Sequence, residues 1–278
     1  MQQTGGSTYI VSLPKKWAES AGITTGSQVT LQPQQDGTLN IAAEGSSQNP
    51  KKKNAIDVNG CFGDELVRLL IAAYLSGSDM IEIKANRIQA EQKKVIRNVC
   101  YKLIGPEIIE ETANSVLIQD LLNPNEVSIK KSVRRMFLIS NSMLKDAMQA
   151  LKNQDRDLAV DVIERDDEVD RLFLLISKQF RTVLRGSRLH DTSETTIDEY
   201  HDLRLAASSL ERIADHAFKI AMIASTLETH IPEETMELIE SSSTTSSDMV
   251  EDAIDALYNQ NTDLANQVIA KVHDTKAR

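Results

Sequence analysis

The chain has 278 residues and a formal net charge of −10, a length that can hold two or three domains. The net negative charge argues against a protein that binds nucleic acid over most of its surface, although the chain can still have a local basic patch. Aromatic residues make up only 4% of the chain and glycine and proline are few, which favours long helices over a β-sandwich.

Cysteine usage and hydropathy predict a soluble cytoplasmic protein without membrane insertion. The two cysteines, Cys61 and Cys100, form no metal-finger spacing and are typical of a reducing compartment. The N-terminus does not resemble a signal peptide. The longest apolar run, 66–75, is interrupted by Arg68 and is too short to span a bilayer.

Residues 1–45 are predicted to form a small β unit. Its elements are a strand at 7–13, a short helix opened by Pro14 and ended by Gly22, and a hairpin that pairs 27–32 with 38–42. Such a unit buries too little surface to fold alone. We therefore expect it to form a homodimer.

The motif STYIVSLPKKWA, followed by GI-x-x-G, resembles the AbrB-type swapped-hairpin domain over residues 4–41. The resemblance implies that two chains interleave their hairpins and present basic loops to DNA. Lys15 and Lys16 are the candidate DNA-binding residues, but Glu19 and other acids oppose them. Two roles remain open for this unit: DNA binding, and dimerisation without DNA binding.

Residues 46–54 are predicted to be a polar linker and residues 55–122 a small α/β sandwich with its helices on one face. The predicted elements alternate: strand 55–58, helix 64–75, strand 80–84, helix 89–104, and a hairpin of 107–111 with 116–120. The segment has no phosphate-binding glycine loop and no nucleophile–base pair. A ligand sensor and a docking module both remain open.

From residue 123 onward the pattern is helical and predicts a long antiparallel bundle. The helices are predicted at 128–153, 155–184, 193–229 and 233–259, with a fifth from residue 262. The fold prediction is thus a multidomain, mainly α protein.

The bundle contains an internal repeat. Residues 140–163 align without gaps to residues 246–269, and about half of the aligned positions are identical. We interpret 125–229 as a three-helix repeat and 230–278 as a second, truncated copy with two helices. We expect a partner chain or further sequence to supply the third helix of that second copy.

Two carboxylate pairs mark neighbouring helices of the first repeat: Asp166 with Asp170, and Glu211 with Asp215. A spacing of four residues puts both acids of a pair on one helix face. Both pairs interrupt apolar rows, and buried carboxylates bind cations or shift their pKa. Four oxygen donors would suit iron, manganese, magnesium or calcium.

Ordinary solvated helix faces are the alternative interpretation of these acids. Acids four residues apart are common on exposed helices. Arg165, Arg171 and Arg212 lie close enough in sequence to neutralise them as surface salt bridges.

The repeat, the D-x-x-x-D pair and the motif LERIADHA at 210–217 resemble the PhoU family of phosphate-uptake regulators. With the AbrB-like head, the whole chain resembles archaeal members of that family. The resemblance implies a transition metal, iron or zinc, held by Asp166, Asp170, Glu211 and Asp215. It also implies a non-enzymatic role: restraint of an ABC-type phosphate transporter through its ATPase and sensor partners.

The second repeat departs from that metal-site pattern. In the repeat alignment Val272 stands opposite Asp166, and Lys276 stands opposite Asp170. We therefore expect one metal site rather than two.

Two other function classes are alternatives to this role. One is an AbrB-type transcription factor whose bundle acts as a sensor. The other is a di-iron oxidase, which the sequence disfavours because such enzymes use Glu-x-x-His ligands. None of His190, His201 and His216 follows a glutamate at that spacing.

Overall fold

The computed structural model describes residues 2–4, 8–33, 37–43, 52–122, 127–185 and 195–276. The chain separates into two compact units, Met1–Lys52 and Lys53–Arg278. The structure is mainly helical, with a small β/α region at the N-terminus, as predicted. In the described part of the chain, every helix is too short or too polar to cross a membrane.

The N-terminal unit consists of two antiparallel hairpins and one short helix. Strand β1 (Gln2–Thr4) pairs with β2 (Thr8–Ile10), α1 spans Lys15–Ser20, and β3 (Val29–Pro33) pairs with β4 (Leu39–Ala43). Gly22 takes a left-handed φ of 70° just after α1, as expected for the residue that ends this helix. Asp36, in the predicted hairpin turn, lies outside the described residues.

The second unit begins with a four-stranded sheet and two helices. Its elements are β5 (Lys53–Asp57), α2 (Gly63–Leu75), β6 (Met80–Lys84), α3 (Ala90–Tyr101), β7 (Pro106–Glu111) and β8 (Ser115–Asp120). The strand order is β5-β6-β8-β7, and only the pair β5–β6 is parallel. Strand β5 starts at Lys53, so the predicted linker ends earlier than residue 54.

Alternate side chains of the sheet build the core of this α/β layer. Ile81 and Ile83 of β6 are buried, as are Val116 and Ile118 of β8, and all four pack in one cluster with α2 and α3. The side-chain amide of Gln92 is buried and donates hydrogen bonds of 2.9 Å to the carbonyl oxygens of two residues in the β5–α2 turn. The polar group is therefore satisfied inside the core.

Five helices follow the α/β layer: α4 (Ile129–Asn153), α5 (Arg156–Leu184), α6 (Ile197–Thr226), α7 (Glu233–Asn259) and α8 (Thr262–Lys276). Helix α6 begins later than predicted because Thr196 and Glu199 form a capping box before its first turn. It ends earlier than predicted because the backbone becomes extended at Leu227.

Helices α4, α5 and α6 form a three-helix bundle with a common core. The inner face of α6 is rich in alanine, and small residues let neighbouring helices approach closely. One row of this inner face is buried throughout: Leu203, Leu210, Ala217 and Ala221.

The internal repeat is visible in the helix ends. Gln154 after α4 and Gln260 after α7 both adopt left-handed conformations, with φ values of 53° and 51°. Next in sequence, Asp155 accepts a 3.0 Å hydrogen bond from the amide of Leu158, and Asn261 accepts one of the same length from Leu264. The two helical hairpins thus turn in the same way.

The repeat also preserves an ion pair between its two helices. Arg165 on α5 binds Asp146 on α4 at 2.6 Å. At the equivalent positions, Lys271 on α8 binds Asp252 on α7 at 2.7 Å. The hairpin α7–α8 is therefore a second copy of α4–α5 in geometry as well as in sequence.

The α/β layer is fixed to α5 by a charged pair. Lys178 is buried on α5, forms an ion pair with Asp120 at the end of β8, and lies 4.4 Å from the ring centre of Tyr74 on α2. Gly105 has a φ of 102°, and a β-carbon there would clash with a carboxylate oxygen of Asp120. A side chain at Gly105 would therefore disturb the pair.

Candidate metal centre

The four predicted ligands lie on two helices that pack against each other. Asp166 and Asp170 belong to α5, and Glu211 and Asp215 belong to α6. Each pair spans one helical turn, so its two carboxylates share a face. The packing of α5 against α6 confirms that the two pairs are on neighbouring helices.

The acids lie at the margin of this helix interface rather than in the bundle interior. Asp166, Glu211 and Asp215 are half-buried, and Asp170 is exposed. The apolar rows that both pairs interrupt therefore lie beside the interface, and the acids do not enter the fully buried core. The helical period explains the outcome: fully buried apolar residues such as Val162 and Val169 occupy the inward positions of α5, and the acids follow them at the edge.

The carboxylates raise one another's pKa across the interface. Burial, then repulsion by Asp170 and Asp215, raises the pKa of Asp166 to about 6. Burial of part of the carboxyl group and repulsion by Glu211 raise the pKa of Asp170. Burial, Asp215 and Asp166 raise the pKa of Glu211. The site is thus a region where negative charge is unfavourable without a cation.

Few cations of the protein compensate this charge. Lys102, just after α3, binds Asp167 at 2.7 Å and lowers the pKa of both Asp166 and Asp170 through its charge. The carboxylate of Asp215 lies 3.9 Å from the Nζ of Lys219, which is a long distance for an ion pair. Within the described ranges this is the one ion pair that any of the four acids makes.

The alternative of ordinary salt bridges with arginine is wrong for Arg165, which binds Asp146 and Asp161 instead. Arg212 lowers the pKa of Glu211 through its charge, without an ion pair in the described part of the chain. The side-chain Nε of Arg171 is buried and has no hydrogen-bond partner among the described residues. The three arginines therefore leave the acids largely uncompensated.

The donor chemistry fits a cation, but the described side chains do not form a closed coordination shell. Among the residues that the structure describes, no three histidine, cysteine, aspartate or glutamate side chains are placed to hold one ion. Carboxylates on two facing helices are oxygen donors suited to hard or borderline cations. Binding through the four acids would require side-chain rotations on α5 and α6.

Sequence reasoning missed Lys102 and Asp167 as members of this site. Asp167 lies within the acidic run of α5, which was the only available signal. Lys102 is 65 positions away in the chain and belongs to the α/β layer. A contact between elements so far apart leaves no periodic pattern in a single sequence.

The histidines do not join the carboxylates in the described part of the chain. His201 packs against Phe180, with 5.7 Å between ring centres, and His216 is exposed on α6. His190 lies outside the described residues. Neither His201 nor His216 supplies the Glu-x-x-His ligands of a di-iron oxidase.

The candidate DNA-binding residues lie on the surface of the N-terminal unit. Lys15 and Lys16 are both exposed in the first turn of α1. Lys15 is 3.9 Å from Glu19, which partly offsets its charge. Two lysines and a neighbouring acid make a small basic surface at most.

Comparison with protein families identifies two domains. Residues 133–224 match the model described as PhoU domain, and they coincide with the bundle α4–α6. Residues 2–49 match the model described as "Antidote-toxin recognition MazE, bacterial antitoxin". The chain therefore carries a PhoU domain in its C-terminal half and a MazE/AbrB-type domain at its N-terminus. Both are regulatory rather than enzymatic domains, as predicted.

Two curated proteins from strains of Caulobacter vibrioides are similar to part of the chain. Both are named phosphate-specific transport system accessory protein PhoU homolog, and each is 33% identical over 96 residues. The aligned part is 34% of this chain and 39% of each relative, so the chain spans about two fifths of the relatives' length. No solved structure gives a significant match.

Proposed function

We propose that this chain is a cytoplasmic, metal-binding regulator of phosphate uptake that acts on an ABC-type phosphate transporter and its signalling partners. The observation that carries the proposal is the match of the PhoU domain to the α4–α6 bundle. The names of the two similar proteins, which refer to phosphate-specific transport, support the same role.

The metal part of the proposal depends on the carboxylates at the α5–α6 interface. A bound cation would relieve the repulsion that raises the pKa of Asp166, Asp170 and Glu211. Asp215, on the same face of α6 as Glu211, completes the proposed ligand set. Iron and zinc are the proposed metals.

The double substitution Asp166→Ala with Asp215→Ala tests the proposal, because it removes one acid from each helix. We expect loss of bound transition metal by elemental analysis, with helix content by circular dichroism largely unchanged. In a host that lacks the wild-type gene, we expect the variant to fail to restrain uptake of radiolabelled phosphate.

The matched control is Glu164→Ala with Asp202→Ala, which removes one exposed acid from each of the same two helices. This control should retain metal and restrain uptake. Metal content unaffected by the first double variant would eliminate these carboxylates as ligands. Phosphate uptake unaffected by deletion of the whole gene would eliminate the regulatory role.

A second candidate function, transcriptional regulation through the N-terminal unit, is favoured by the MazE-type match at residues 2–49. Lys15 and Lys16 are the proposed DNA contacts. Genuine phosphate contacts release counterions, so binding must weaken steeply as salt rises.

A gel shift with promoter DNA at increasing salt separates this candidate from the first. If the chain binds DNA, Lys15→Gln with Lys16→Gln should weaken binding and reduce the slope of affinity against salt by about two charges. Lys52→Gln with Lys53→Gln is the control, because it removes two lysines outside α1. A wild-type chain that shifts no DNA even at low salt would contradict this candidate.

A further inference from the structure

The four-stranded sheet of the α/β layer has two edge strands, β5 and β7, and the two edges differ in how they are protected. Strand β7 begins at Pro106, has a register shift between Ile108 and Glu110, and carries only acidic charges. Proline, bulges and repeated charges are features that keep an edge strand from pairing with another chain. Strand β7 is therefore a protected edge.

Strand β5, which the structure describes in full, has none of these protective features. It pairs with β6 in a regular parallel register over all five of its residues, and it contains no proline. Its two charged residues, Lys53 and Asp57, have opposite signs and stand at its two ends. An edge of this kind is a template for a further strand.

The backbone of β5 directs the hydrogen-bonding groups of alternate residues away from β6. The amide of Val58, just after β5, donates a 2.9 Å hydrogen bond to the carbonyl oxygen of Lys84 on β6. The backbone groups of successive residues in a strand point to opposite sides. The amide and carbonyl groups of Lys53, Ala55 and Asp57 therefore point to the outer side of the sheet edge.

A second copy of β5 matches this edge when the two strands run antiparallel about a two-fold axis at Ala55. Lys53 of each copy then stands opposite Asp57 of the other, and Ala55 stands opposite its symmetry mate. These are the residues whose backbone groups point outward, so each opposed pair can exchange two hydrogen bonds. The opposed end charges are complementary, and the small side chain at the axis avoids a clash between the copies.

We propose that β5 pairs with β5 of a second copy of this chain, so that two four-stranded sheets join into one continuous sheet. A single pair of five-residue strands buries less area than the interface of a stable dimer. The pairing therefore acts together with the dimer expected of residues 1–45, which would hold two copies at a high effective concentration. The inference depends on neither the metal site nor the role in phosphate uptake.

A disulfide across the two-fold axis tests the pairing directly. In the full chain with Cys100→Ala, we expect Ala55→Cys to give a covalent dimer on mild oxidation. Directly opposed residues of this kind have Cα atoms about 5.5 Å apart, which a disulfide can span. Glu110→Cys, at an exposed position of the protected edge strand, is the matched control and should run as a monomer on a non-reducing gel. The remaining thiol, Cys61, is buried.

Reversal of the end charges tests the register. In the Ala55→Cys chain, Lys53→Glu puts two acids opposite each other and should slow cross-linking at least about threefold. Lys53→Glu combined with Asp57→Lys makes the ends complementary again and should restore the rate. Lys94→Glu is the matched control, because it makes the same charge change at an exposed position of α3, and it should leave the rate unchanged.

A variant without a new thiol guards against an artefact of oxidation. Ala55→Pro removes an amide that points to the outer side, so it spares the hydrogen bonds to β6. It should raise the dissociation constant of the dimer about tenfold in analytical ultracentrifugation.

Three results would overturn the proposal. The first is absence of the cross-link in Ala55→Cys, or equal cross-linking of Ala55→Cys and Glu110→Cys, since the edge would then be covered by something other than its own copy. The second is failure of the double charge exchange to restore the rate that Lys53→Glu lowers. The third is a dissociation constant that Ala55→Pro leaves unchanged.

Discussion

At the scale of single residues, the raised pKa of Asp166 predicts how stability depends on pH. Its pKa rises from 3.8 to about 6 on folding. Between these two values the folded chain holds a proton that the unfolded chain releases, so the contribution of Asp166 to the free energy of unfolding should fall as pH rises. The raised pKa values of Asp170 and Glu211 act in the same direction.

The prediction is tested by urea denaturation of chelator-treated protein from about pH 4 to about pH 7. The free energy of unfolding of Asp166→Asn, relative to wild type, should rise as pH rises, because an amide cannot titrate. Glu164→Gln, at an exposed position of the same helix, is the control, and its difference from wild type should not change with pH. A constant difference between Asp166→Asn and wild type across this range would show that this carboxyl group does not have the raised pKa.

The buried pair of Lys178 and Asp120 predicts a large effect of a single substitution. Lys178→Met leaves the Asp120 carboxylate at the junction with α5 without this ion partner, although it still accepts a hydrogen bond from the amide of Leu122. Removal of one partner from a buried ion pair costs roughly 3–5 kcal/mol. We expect a loss of that size in the free energy of unfolding by urea denaturation.

Two comparisons make this measurement specific. Lys84→Met removes the lysine from an exposed pair with Glu82, which keeps its ion pair with Lys53, and should cost much less stability than Lys178→Met. Lys178→Met combined with Asp120→Asn removes the unpaired charge and should recover part of the loss. Similar costs for Lys178→Met and Lys84→Met would mean that the junction is more hydrated than its burial indicates.

At the scale of elements, periodicity and capping residues were sufficient to locate most helices and strands. Helix α7 and strand β6 have the predicted bounds, because turn residues flank a clear apolar period at both. Helix α6 was predicted too long at both ends. Residues 193–229 contain no glycine or proline, so only the capping box and the extended Leu227 define its limits.

The sequence was less informative about how elements meet. The carboxylate pairs were located from their spacing, but their position at the margin of the α5–α6 interface depends on the rotation of each helix about its axis. The contacts of Lys102 with Asp167 and of Lys178 with Asp120 join the α/β layer to α5. Such contacts follow from tertiary packing, which a single sequence does not encode as a local pattern.

The repeat connects the element scale to the whole molecule. Its helix caps and ion pair are local features, so both copies retain them even though only the first is covered by α6. Coverage, by contrast, decides which residues are buried. Ala147 is buried and Ala253 is exposed because α6 covers the first hairpin and not the second, although the two hairpins are built alike.

At the scale of the whole molecule, the N-terminal unit predicts self-association. Strands β3 and β4 pair Leu31 with Ile41, and Pro33 with Leu39, so these side chains share one face of the hairpin. Leu31 and Leu39 are 55% and 51% exposed. A unit of this size buries too little apolar surface to be stable alone. A second copy that covers the hairpin would bury this apolar area.

We therefore expect the wild-type chain to be a dimer by light scattering. The chain with Leu31→Asp and Leu39→Asp should have about half that mass, because charges on the hairpin face oppose its burial. Thr30→Asp is the control: Thr30 alternates with Leu31 along β3 and so lies on the opposite face. Dimers that persist in the leucine variants would place the interface in the unit that begins at Lys53.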